Sequence, residues 1–382
     1  MPQSTIWKSV FLTTLAIPLF GAALVQPTQN EVTVHEWGTF TSVAGYSGSS
    51  LEWAPLSFSG DLPCFVHTSD RLFAKYTPGL VRMETPVVYF YARQPMKASV
   101  RVDFPQGEMT EWYPTAQVSP NSGLKGHGSI EWADLNIQPG ATPDFPSTKG
   151  ASRYYPARAT DAAPVQAGNE KEKLLFYRGV ANFPVPIEPV VNGAGYTIRN
   201  NSAATVPVAI LFENHDGRIG YRVVRNLKDS AQVDAPPLTS SVDAIRNELT
   251  AMLVQSGLYP KEAAAMLETW RDSWFEPGTR VIYIDPRSTV DAILPMRISP
   301  APQKIERVFV GRVEVLSPAT ETAIRTAMEA GDAAAIGKLG RFLPAFRWEM
   351  LQHGKLSRAT PGESVAARID SANYRGAATC VR

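Results

Sequence analysis

Glutamates in strand-forming stretches, four of them directly before a tryptophan, are the residues here best suited to chemistry. Glu-Trp occurs at Glu36-Trp37, Glu52-Trp53, Glu111-Trp112 and Glu131-Trp132. Indole faces stack on sugar rings and carboxylates bind hydroxyls, so the pairing points to saccharide handling. Strand geometry limits this, because neighbouring side chains on a strand point to opposite faces. A sugar site must therefore combine a glutamate of one strand with a tryptophan of another, drawn from Trp37, Trp112 and Trp132.

Alternation sharpens the question. Glu36 has the parity of Val32 and Val34, Glu84 that of Val88 and Phe90, Glu111 that of Met109 and Tyr113, and Glu131 that of Leu135 and Ile137. Each carboxylate is thus expected among apolar neighbours, where it must pair with a cation, bind a metal or stay protonated. Three outcomes follow. Arginines such as Arg82, Arg101, Arg178, Arg280 or Arg307 neutralise the glutamates; or two carboxyls converge as the acid and base of a glycosidase; or His35 or His127 joins glutamates around a metal. His35 and Glu36 cannot both be ligands on a regular strand, so that third outcome needs a bulge at Gly38. His67, His215 and His353 read as surface or packing residues, and Trp270 with Trp274 as a core stripe beside Met266.

Familiar catalytic motifs are missing. Gly45–Ser49 lacks the final glycine of a nucleophile elbow, Ser122–Lys125 matches S-x-x-K without its companions, and His35-Glu36 has no second histidine at metalloprotease spacing. Gly331–Lys338 misses the phosphate-loop spacing, and neither C-x-x-C nor G-x-G-x-x-G occurs. No nucleotide, flavin or haem is expected.

The elements that would position these residues are mostly strands. Val87–Tyr91 is a continuous β-branched and aromatic run, as in a strand buried on both faces. Lys97–Phe104 alternates, with Ala98, Val100, Val102 and Phe104 on one side. With Glu108–Tyr113 these stretches predict an antiparallel meander. Residues 116–173 are rich in Pro, Gly, Ser and Thr and, apart from a strand at Ser129–Ile137, predict a long irregular loop, ordered because Trp132, Tyr154 and Tyr155 need burial. Asp216-Gly217 predicts a hairpin turn. Residues 240–276 predict a helical hairpin, capped at Ser240 and reopened at Pro260. Strands are then expected at Arg280–Ile284, Val290–Leu294 and Ile305–Leu316, with Gly311 marking a bulge. Helices fill residues 317–382.

The expected fold is α+β and mainly β: an antiparallel β-sandwich-like core over residues 31–316, a helical hairpin insertion and a C-terminal helical segment packed on it.

Bulk composition narrows the function classes. The 382 residues carry 37 Lys and Arg against 36 Asp and Glu, a net charge of +1, and 44% are hydrophobic. Such a balance disfavours a nucleic-acid partner. Lys8 followed by the apolar run Val10–Phe20 and the small residues Gly21-Ala22-Ala23 reads as a signal peptide over residues 1–23, with an uncleaved anchor as the alternative. The mature chain is not expected to be an integral membrane protein. Cys64 and Cys380 are the only cysteines; in an oxidising compartment they are expected to form one disulfide, the alternative being a buried thiol and a free tail. Together these features predict a periplasmic or extracellular protein. It is expected to bind or scaffold an envelope polysaccharide or protein partner. The alternatives are a carbohydrate-active hydrolase or lyase and a metal-dependent enzyme.

Overall fold

The computed structural model describes residues 1, 31–54, 62–69, 79–119, 128–150, 152–193 and 195–376. Residues 2–23 of the expected signal peptide, His127 and Cys380 lie outside them, so the expected cleavage, the second metal candidate and the expected disulfide fall on residues that are not described.

The protein is α+β and mainly β, with several sheets. The largest runs β14 (Arg218–Leu227), β13 (Val206–His215), β16 (Gly278–Ile284), β18 (Lys304–Val315), β1 (Val32–Ala44), β3 (Val81–Ala92), β10 (Leu175–Ala181), β5 (Gly107–Tyr113) and β2 (His67–Thr68). A second runs β17 (Met296–Ser299), β4 (Met96–Phe104), β7 (Gly128–Ile137), β8 (Val165–Ala167) and β9 (Glu170–Glu172), with β6 (Gln117–Ser119) on β7. A third joins β11 (Ile187–Asn192), β12 (Gly195–Asn200) and β15 (Ser230–Asp234).

The three strands of the expected meander form, but they do not pair in sequence. β10 lies between β3 and β5, and β4 crosses to the second sheet. Their residue patterns explain the separation. β3 is buried on both faces and sits in the middle of the main sheet. β4 has one apolar face and one polar face, which suits a strand covering another sheet. Its Ala98, Val100, Val102 and Phe104 share a hydrophobic cluster with Val88 and Phe90 of β3.

The main sheet is not wholly antiparallel. Strands β1 and β18 pair in parallel, Glu36 opposite Arg307 and Thr41 opposite Arg312. Gly311 lies in continuous register, opposite Phe40 and Tyr283, and so marks no bulge. Glycine is needed there because the Tyr283 ring lies flat on it; a Cβ would come within 1.9 Å of Cζ.

The helical hairpin covers the other face of the main sheet. It comprises α1 (Val242–Gln255), α2 (Pro260–Thr269) and the short α3 (Arg271–Trp274). Ser241, one residue past the expected cap, accepts from the Ala244 amide. Trp37, Tyr89, Met266, Trp270 and Trp274 share the cluster between these layers. Of residues 290–294, expected as a strand, 290–293 belong instead to α4 (Arg287–Ile293) and Leu294 caps it. Pro286 opens that helix and Arg287 pairs with Asp291 one turn on, signals that outrank a short apolar run. Helices α5 (Pro318–Ala330), α6 (Ala333–Lys338), α7 (Leu343–Gln352) and α8 (Gly362–Gly376) follow. Met328, Phe346 and Met350 from this segment pack with Val43 and Trp53.

Candidate functional site

The predicted glutamates are held apart, each by its own partners. Glu36 is fully buried; Arg307 Nε donates to it at 2.6 Å and the Tyr177 hydroxyl donates to its other oxygen. Glu84 accepts from the Thr41 hydroxyl at 2.7 Å and is paired with Arg341 and Arg82. Glu111 accepts from the Thr110 hydroxyl and stands opposite Arg178 on β10. Glu131 pairs with Arg101 at 3.1 Å and is 35% exposed.

Two of the parity assignments are overturned by bulges. Opposite Ser99, β7 carries both Ala133 and Asp134, which turns Leu135 to the side of Trp132 and leaves Glu131 facing outward. In β3 the extra residue lies at Thr85-Pro86, with Thr85 at φ 51°, and it turns Glu84 off the face of Val88 and Phe90. A third shift beside Thr110 sends Met109 and Tyr113 into different clusters. The tryptophans are corrected too. Trp37 is closed inside the core, and Trp132 is 1% exposed with its indole N–H on the Pro114 carbonyl. Neither offers a stacking face. Trp112 is half-buried, its ring 6.2 Å from that of His67, which bonds Glu170 at 2.9 Å.

His35 does find a glutamate, though not one of the four. Its Nδ1 lies 2.8 Å from Glu262 Oε2, and both residues are sealed from solvent. Glu262 is the third residue of α2 and also accepts from the Tyr259 backbone amide at 2.7 Å and the Tyr91 hydroxyl at 2.8 Å. Three donors on one buried carboxylate offset much of its desolvation cost. Tyr259 stacks on the His35 imidazole at 4.3 Å, and Tyr91 meets that ring edge-on at 5.4 Å. Burial, then the neighbouring Glu262, pushes the Tyr91 hydroxyl far above the usual phenol range. His35 Nε2 has no partner among the described residues. Nor do those residues gather three or more His, Cys, Asp or Glu side chains for a metal.

Tyr91 and Tyr259 form part of the wall of an open cavity of about 690 Å³. Its other sides come from Thr33 of β1, Arg93 after β3, residues 139–142 and 160–164, Lys173 and Gln303. The irregular segment is held in place from behind. Arg158 donates to Glu172 at 2.6 Å and to the Pro146 carbonyl at 2.8 Å, with the rings of Phe65, Phe145, Tyr154 and Tyr155 5.0–5.8 Å away. Tyr89 adds a hydrogen bond to the Ala157 carbonyl at 2.8 Å. The cavity thus lies between that segment and residues of β1, β3 and the cap of α2. Neither Glu262 nor Tyr259 was singled out by sequence. The available signal was the stretch Tyr259-Pro260-Lys261-Glu262, a proline at the first helical position with a glutamate two residues on.

Most cavity charges are matched. Glu31 pairs with Arg93 at 3.2 Å and Asp161 with Lys261 at 2.6 Å. The Thr160 side chain is 8% exposed, and its hydroxyl has no partner among the described residues. Such a cavity can take up a polar molecule against two tyrosine rings and a set of hydroxyls and carbonyls.

No family model and no curated protein matches this chain. Among solved structures, a yeast delta-COP-I mu-homology domain complexed with a Dsl1 WxWxV peptide is similar over 76% of this chain and 98% of that one, at 8% identity and a TM-score of 0.28. A likeness that slight carries no functional reading. Among the described residues no helix is long and apolar enough to cross a membrane.

Proposed function

We propose that this is an exported binding protein of the cell envelope, and that the cavity beside Tyr91 and Tyr259 receives a hydroxyl-rich ligand, an envelope saccharide. The observation that carries the reading is the cavity itself. Its volume falls within the roughly 300–1,000 Å³ usual for small-molecule sites. Its walls combine aromatic rings with side chains that both donate and accept hydrogen bonds, the complement a sugar needs. Export rests on the N-terminal pattern of Lys8 and Val10–Phe20. The hydrolase alternative is weakened because Glu36, Glu84 and Glu131 are each clamped by arginine, unlike a carboxyl poised to give up a proton.

Titration calorimetry of the purified chain against envelope-derived oligosaccharides tests the reading. Tyr259→Ala removes the most exposed ring of the wall and is expected to weaken binding about two- to tenfold, the worth of one stacked ring. Binding that is unaffected by Tyr259→Ala moves the site elsewhere, and no binding by the unaltered chain removes the proposal.

A further inference from the structure

Resting on the saccharide reading, we infer that the cavity selects a sugar carrying one carboxylate, a uronate, and that Lys173 is the residue that reads it. Two cations line the cavity, Arg93 and Lys173. Arg93 is matched by Glu31. Lys173 has no carboxylate partner among the described residues; its ammonium donates once, to the Ala162 carbonyl at 3.1 Å. An ammonium has three donors, so two remain for a ligand. The side chain is half-buried, which strengthens a charge-assisted bond relative to one in open water.

One point charge suits one carboxylate. Phosphate and sulfate groups favour arginine forks, and the arginine in the wall, Arg93, is already paired with Glu31. The remaining lining fits the rest of a sugar. Thr33, Thr142, Tyr91 and Tyr259 bring hydroxyls, and Gln303 brings an amide.

The test uses trisaccharides of galacturonate, glucuronate and mannuronate, each beside its methyl ester, which keeps the hydroxyls and removes the charge. Calorimetry at low salt is expected to show one acid bound about tenfold or more tighter than its ester, the size of one charge-assisted hydrogen bond. That margin is expected to shrink at high salt. Lys173→Gln should bind acid and ester alike, Lys173→Arg should keep the preference, and Tyr259→Ala should weaken both. Equal binding of acid and ester by the unaltered chain overturns the role of Lys173 and leaves the saccharide cavity standing. An acid preference that survives Lys173→Gln overturns it as well. Binding of neither form overturns the saccharide reading, and this inference with it.

Discussion

Glu84 and Asp285 are both hidden from water, at 1% and 3% exposure, yet their surroundings are opposite. Burial alone would raise the Glu84 carboxyl, but Arg341 and Arg82 outweigh it and hold the group well below the usual carboxylate range. Asp285 follows β16, and neither of its carboxyl oxygens has a partner among the described residues. Burial pushes it well above that range. The contrast separates two ways of placing an acid in a core. One supplies cations, Arg82 from the same strand and Arg341 from far along the chain; the other leaves the carboxyl unpartnered and raises its hold on a proton. The same sheet uses both, so neither burial nor residue type alone identifies a functional carboxyl.

The largest test breaks the Glu84 side. Arg341→Met leaves the buried carboxylate with Arg82 and the Thr41 hydroxyl and is expected to cost about 3 kcal/mol in urea unfolding, the lower end for a broken buried pair. Adding Glu84→Leu should recover most of that loss, because the uncompensated charge is gone. A single variant as stable as the parent would mean that Arg341 contributes little.

Next in size is Asp285→Asn, read across pH. A carboxyl raised in the folded state favours folding fully below the unfolded value of about 3.9, and that contribution is lost as pH climbs towards the folded value. Glu84 behaves oppositely, its contribution being present above about 4.3 and lost as pH falls. Asp285→Asn is therefore expected to be more stable than the parent near pH 7, by about 1–3 kcal/mol, with the gap closing towards pH 4. Parallel stability curves across that range would show that folding does not raise the Asp285 carboxyl.

The smallest expected effect is at Glu131. Its pair with Arg101 is part-exposed, so Glu131→Gln should shift stability by less than about 1 kcal/mol. A larger loss would place Glu131 with the buried glutamates after all.

Alternation made the strands and the need for arginine partners legible. Arg307 and Arg101 were among the cations anticipated, and Glu36 and Glu131 are what they hold. Facing was legible only between bulges. Single extra residues at Thr85-Pro86, beside Thr110 and at Ala133-Asp134 reverse the count, and no residue pattern announced them. Pairing order was hidden because it depends on where the apolar face of β4 finds cover, in another sheet. The His35–Glu262 contact was hidden by distance, since 227 residues separate its members. Asp285 was passed over because an aspartate before a proline reads as an ordinary turn.

The parallel pairing of β1 with β18 has a consequence for assembly. Residues 271 positions apart, Glu36 and Arg307, meet at the centre of the largest sheet. As the chain is synthesised, its first strand must therefore wait for nearly everything downstream before gaining that neighbour. Chains dominated by such remote pairings fold slowly. A product truncated before Lys304 would expose a long, greasy strand edge open to self-association.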